Sequence, residues 1–204
     1  MDNEYAGYLP KPDEIKKELM DISGSVDTLI SSLDQEKIGI LNEIKQLTKR
    51  FSTASKMASA YHLNRLLIPY TSKCSEILKA IGQLSEIRKG ALIVIERDHP
   101  VDDWITRGTP LFAEISSELL DSIFHVGSPL HDGAVLIRND TIVSAANILP
   151  LTKKIYKNKK LGTRHRAAIG MSERTDALVF VVSEETGKES FSFNGALYPF
   201  QTMK

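Results

Sequence analysis

This sequence predicts a mixed α/β fold, a central β-sheet flanked by helices, with a small helical segment ahead of it. Three features carry that prediction. Two short runs, ALIVIE (Ala91 to Glu96, apolar as far as Ile95) and ALVFVV (Ala177 to Val182), are rich in apolar β-branched residues, as strands covered on both faces are. Elsewhere apolar residues return every three or four positions, the helical period. Asn194-Gly195, between SFSF and ALYPF, marks a two-residue hairpin, because both turn positions need positive φ.

Taken in order, the helical period holds from Asp13 to about Tyr61, through Ile15, Leu19, Ile22, Val26, Leu29, Ile30 and Leu33, then Ile40, Leu41, Ile44 and Leu47. Ser23-Gly24-Ser25 should end the first helix, since serine and glycine disfavour helix interiors. A segment this short cannot bury its own apolar stripe, so it should pack on the main domain or on another copy of itself. Residues 1–60 are thus expected to form an oligomerisation or regulatory segment and residues 61–204 the main domain. A further helix is expected from Ser72 to Lys89, with Ile77, Leu78, Ile81, Leu84 and Ile87 on one face. Between the two apolar runs come a helix over Ser117 to Phe124 and a hairpin pairing AVLI (Ala134 to Ile137) with TIVSAA (Thr141 to Ala146). The hairpins place antiparallel strands within the sheet.

The composition narrows the function. Lys+Arg and Asp+Glu balance at 26 each, so no overall field draws the chain to nucleic acid or an anionic membrane, and any basic site must be local. KKIYKNKK (Lys153 to Lys160) reads as a solvated basic patch. The single cysteine, Cys74, excludes an internal disulfide or a multi-cysteine zinc site and fits a reducing compartment. It sits on a helix with no activating pattern beside it and reads as structural. No apolar run approaches the roughly 18 residues of a membrane span. The opening MDNEYAGYLPKPDEIKKE lacks the basic and apolar stretches of a signal peptide. A soluble, cytoplasmic protein is expected.

No GxxxxGK[ST], GxGxxG, HExxH or GxSxG motif is present, which removes the familiar phosphate loops and hydrolase signatures. Three other stretches border the apolar runs, where α/β sheets place ligands. In SPLHDGAVLI (Ser128 to Ile137), Asp132 is an acceptor for a metal or a hydroxyl, with His131 beside it, and Gly133 and Ala134 let a flat ligand approach the backbone. Asp-Gly is equally a hairpin turn pair, although Pro129 and Leu130 make a poor preceding strand. In GTRHRAAIG (Gly162 to Gly170), the arginines offer forks for phosphate oxygens and Thr163 a hydroxyl. If that stretch is extended, Arg164 and Arg166 share a face; if it is helical, they diverge. Ala167, Ala168 and Ile169 carry the chain straight into the core, which should leave both arginines short of water until an anion meets them. In VVSEETGKES (Val181 to Ser190), a glutamate pair leaves a buried strand, and such pairs are usually surface decoration. A carboxylate there can complete an oxygen-rich Mg²⁺ or Mn²⁺ site with Asp132 and His131. Trp104 and Tyr198 read equally as core or as base-stacking surface.

Together, GALIVIER, SPLHDGAVLI, LPLT, GTRHRAAIGMSERTDA and VVSEETG closely resemble the diadenylate cyclase catalytic domain, with its Asp-Gly-Ala motif at Asp132-Gly133-Ala134 and its Arg-His-Arg motif at Arg164-His165-Arg166. These blocks span most of residues 90 to 190. The short layout is most similar to the sporulation-associated members of the family. The resemblance implies condensation of two ATP into cyclic di-AMP with release of two pyrophosphates, at a centre formed by two subunits face to face within a homo-oligomer. It implies that Asp132, Arg164 and Arg166 are catalytic, that Gly133, Ala134, Thr163, Arg164, His165, Arg166 and Ser183 bind substrate, and that Asp132, His131 and Glu185 hold Mn²⁺ or Mg²⁺. On that reading the positive cluster awaits a triphosphate whose charge the chain itself does not supply.

Overall fold

The computed structural model describes residues 11–33, 39–154 and 161–202. These fall into two compact units divided between Leu63 and Asn64. Residues 155–160 of the basic KKIYKNKK stretch, and the first ten residues of the chain, lie outside the described residues. Among the described residues no helix is long and apolar enough to cross a membrane.

The first unit contains α1 (Pro12–Leu33) and most of α2 (Ile40–Leu67). The break expected at Ser23-Gly24-Ser25 is a correction: α1 runs through it without interruption. The hydroxyl of Ser25 donates to the carbonyl of Asp21, and that of Thr28 to the carbonyl of Gly24, so these polar side chains bond back onto the helix rather than diverting its backbone. Ile22 is buried, and Arg50 ties the two helices together through Glu18 (3.0 Å) and the Ser25 hydroxyl (3.2 Å).

The second unit is built on a seven-stranded sheet in the order β2-β4-β3-β1-β5-β6-β7. The strands are β1 (Ala91–Ile95), β2 (Thr109–Glu114), β3 (Ala134–Arg138), β4 (Thr141–Asn147), β5 (Leu178–Val182), β6 (Glu189–Phe193) and β7 (Ala196–Phe200). β1 is the middle strand, parallel to β3 and antiparallel to β5. All five residues of β1 and all five of β5 are buried, which accounts for their unbroken apolar sequence. Asn194 (φ 49°) and Gly195 (φ 71°) form the β6–β7 turn.

Helices cover both faces. α5 (Thr163–Ser172) buries Ala167, Ala168 and Met171 against Leu92, Val94, Leu136, Val179 and Val181. α3 (Cys74–Glu86) lies on β5 and β6 with Ile77, Ala80, Ile81 and Leu84 buried, and packs against α4 (Ser117–Ile123). Ile87, counted with that face in the sequence, falls past the end of α3 and is exposed. Cys74 donates from Sγ to the Thr71 carbonyl, and burial pushes its thiol above the usual pKa. Trp104 and Tyr198 both reach the surface, the first under the Arg174 guanidinium and the second stacked on Phe191.

Candidate active site

A cavity of about 750 Å³ opens where β1 and β3 begin and β5 ends, within the size range of ligand pockets. Since β1 and β3 are the parallel pair, the cavity lies at their amino ends, opposite to the carboxyl-end rule for doubly wound sheets. Its walls include Leu92, Phe124, Ile148, Leu149 and Leu151, with His131, Asp132, Gly133, Asn147, Thr163, Arg164 and Glu184 as the polar or backbone contributors.

The Asp132 loop enters from one side. Asp132-Gly133 is not the turn of a hairpin: it leads into β3, while the β3–β4 turn falls at Asn139, whose φ is 50°. Gly133 has φ 114°, and a Cβ there would stand 2.8 Å from both Ala146 C and Asn147 O, so only glycine fits. Ala134, the first residue of β3, is buried behind the cavity, and its carbonyl accepts from Asn147 Nδ2 at 2.8 Å. Asn147 Oδ1 accepts from the Ser144 hydroxyl (2.9 Å) and the Gly108 N–H (3.0 Å), so this buried amide fixes the floor of the site. The sequence reading missed Asn147. Its signal was a lone amide closing the TIVSAAN strand.

α5 enters from the other side with its amino terminus. Gly162 caps it without a side-chain hydrogen bond, so the first-turn N–H groups have no partner in the cap, the condition under which helix termini take anions. Because GTRHR is helical, Arg164 and Arg166 diverge. Arg164 and Thr163 line the cavity; Arg166 is exposed and reaches the Thr152 carbonyl at 3.4 Å. His165 is half-buried. Burial pushes its imidazole below the usual pKa, with Glu185 pulling the other way.

The expectation that the chain supplies no anion of its own is a correction. Arg164 Nη1 lies 2.7 Å from Glu184 Oε2, and Arg166 is exposed to solvent, so neither guanidinium needs an outside partner to be tolerated. The two members of the glutamate pair part: Glu184 lines the cavity, whereas Glu185 lies outside its lining. Ser183 also lies outside the lining. Its N–H donates to Lys188 O (3.0 Å) and its hydroxyl accepts from Thr186 N–H (3.3 Å), which shapes the turn that carries Glu184. Gly90, the first residue of the GALIVIER block, lies close to Arg164: a Cβ there would stand 2.5 Å from Nη1.

Among the described residues no three His, Cys, Asp or Glu side chains cluster as a ready metal cage. Asp132 and His131 still fit a Mg²⁺ or Mn²⁺ ion held mainly by substrate phosphates, which needs only one or two protein ligands. His131 Nδ1 lies 2.5 Å from the Ser128 carbonyl, which can only accept, so Nδ1 is the donor there and Nε2 is the nitrogen left for a metal.

A family model described as the nucleotide-binding domain of the DisA bacterial checkpoint controller matches residues 78–197, which makes the second unit an α/β nucleotide-binding domain. A model for the N-terminal region of the diadenylate cyclase CdaS matches residues 11–70. The chain is 50% identical to the cyclic di-AMP synthase CdaS of Bacillus subtilis over 186 residues, covering 91% of this chain and 89% of that one. A solved structure of a Bacillus cereus protein, described as a hypothetical membrane spanning protein, superposes with a TM-score of 0.80 at 45% identity over 91% of each chain. DacA from Staphylococcus aureus, in a double cysteine mutant, superposes with a TM-score of 0.59 at 43% identity over 63% of this chain and 85% of that one. The chain belongs to the diadenylate cyclase family.

Proposed function

We propose that this chain condenses two ATP molecules into cyclic di-AMP and two pyrophosphates. The observation that carries the reading is the convergence of the Asp132 loop and the amino terminus of α5, with Arg164, on one cavity. Each 3′-hydroxyl oxygen forms a bond to the α-phosphorus of the other ATP, each α–β anhydride bond breaks, and the hydroxyl protons leave through Asp132 and solvent. One cavity holds one ATP, so two subunits must meet face to face, and catalysis is largely positioning and charge stabilisation.

Asp132 orients the 3′-hydroxyl and accepts its hydrogen. Thr163, Arg164 and the first turn of α5 hold phosphate oxygens, while Leu149 and Ile148 offer an apolar wall to the base. Arg166, Ser183 and His165 support this arrangement from outside the lining. Asp132 and His131 would hold the divalent ion, which offsets phosphate charge when bound; a role for Glu185 there requires it to turn inward. A cytoplasmic location is part of this reading, because ATP is the substrate. The helical segment sets the oligomer and modulates turnover, a role supported by exposed Leu19, Met20, Leu41, Ile44 and Phe51 on α1 and α2.

Incubation of the purified chain with ATP and Mn²⁺ or Mg²⁺ should yield cyclic di-AMP by mass, and Asp132→Asn should abolish it with an unchanged circular dichroism spectrum. Tight ATP binding without product across metals would leave a nucleotide sensor instead. Removal of residues 1–60 should alter both particle size in light scattering and specific activity.

A further inference from the structure

Glu184 and Arg164 form an ion pair at the cavity. Both residues line the cavity, and the carboxylate sits 2.7 Å from the guanidinium through Nη1. Their exposures differ: the Arg164 side chain is 26% exposed and that of Glu184 67%. The backbone under Glu184 is firmly held. Gly187 N–H donates to Ser183 O (2.8 Å), Ser183 N–H to Lys188 O (3.0 Å), and the Ser85 hydroxyl to Gly187 O (2.7 Å). Glu184 therefore has a fixed root and a carboxylate open to solvent, while the Arg164 guanidinium lies close beside Gly90.

We infer that Glu184 is a built-in stand-in for substrate phosphate: its carboxylate holds Arg164 until a phosphate arrives, yields to it, and reclaims the guanidinium as product leaves. This rests on the cyclase reading of the same cavity. One N–H of the Arg164 fork cannot serve two anions at full strength, so a phosphate that takes the guanidinium must displace the carboxylate from it. An ion pair with one partner so exposed is weak, so its displacement lowers ligand affinity by a small factor and does not block binding. The competition applies alike to ATP and to cyclic di-AMP, which makes Glu184 a positioning residue that speeds product release.

The test uses the full chain, wild type and Glu184→Gln, with calorimetry against α,β-methylene ATP and against cyclic di-AMP. Gln keeps the shape and removes the charge, so the Kd for both ligands should fall about three- to fivefold. In an Arg164→Ala background the same change should have no effect, an outcome that a merely structural role for Glu184 would not give. Unchanged or weaker binding by Glu184→Gln, or tightening that persists without Arg164, would overturn the inference while leaving the cyclase reading in place. Failure of the wild-type chain to bind either ligand would overturn both.

Discussion

The Arg164 guanidinium lies directly against the Cα of Gly90: a methyl group at position 90 would stand 2.5 Å from Nη1 and 2.8 Å from Cζ. Both atoms belong to the far end of a flexible side chain, so Gly90→Ala is relieved mainly by moving Arg164, with a few tenths of an ångström of give at Glu184 Cβ, 3.1 Å away. Stability should hardly change, with Tm within about 2 °C of wild type. The phosphate grip should suffer, because a hydrogen bond to a charged group contributes about 1.5–3 kcal/mol. We expect kcat/KM for ATP to fall roughly tenfold or more. A large loss of Tm with activity retained would show that Gly90 serves packing and not Arg164.

Gly133→Ala should behave in the opposite way. The atoms a Cβ would meet there, Ala146 C and Asn147 O at 2.8 Å, are backbone, and φ of 114° is unsuited to any side chain. Strain of this kind costs on the order of 1–3 kcal/mol. Urea unfolding should show a lower midpoint, and turnover should fall with it because the Asp132 loop is displaced. A midpoint equal to wild type would contradict this account.

The buried runs of β1 and β5 were legible because a strand covered on both faces must be apolar at every position. The hairpin at Asn194-Gly195 was legible because positive φ at two successive residues restricts their chemistry. β2 was not: Pro110 and the exposed Phe112, at φ 50° beside a register shift, break the alternation by which an edge strand is read. Twin arginines looked like one binding unit only while the period of their backbone was undecided. Once α5 is helical, a spacing of two residues places them on different sides. By residue type Glu184 and Glu185 are equivalent, and the resemblance singled out Glu185; only the turn built by Ser183 and Gly187 decides that Glu184 faces Arg164.

Asn147 offers a test of the floor of the site. It is 1% exposed and satisfies Ala134 O, Ser144 Oγ and Gly108 N at once. Asn147→Ala removes the partner that these three groups share, at a cost of about 1–3 kcal/mol. Asn147→Asp keeps the acceptor but turns a second oxygen toward the Ala134 carbonyl, so it should be no better tolerated at neutral pH. Thermal unfolding of both variants checks this; a stable, fully active aspartate variant would mean that the amide donor is dispensable.

His165 should give stability a pH dependence of definite sign. Burial holds its pKa below the ordinary 6.5, and the amino terminus of α5 is a poor place for a further cation. Above 6.5 the ring is neutral in both folded and unfolded chains and contributes no slope. As pH falls below that value the unfolded chain takes the proton first, so stability is lost progressively until the folded ring also titrates. Carboxylates held low by hydrogen bonds, such as Asp140 beside the Ser72 hydroxyl, act in a separate window below 3.8. Urea unfolding from about pH 8 to about pH 5 should therefore show declining stability below the ordinary histidine pKa, with a shallower decline in His165→Gln. Glu185→Gln removes the nearby charge that favours the protonated ring, so the His165 resonance in an NMR titration should move at lower pH than in wild type. A shift upward would place the controlling charge elsewhere than Glu185.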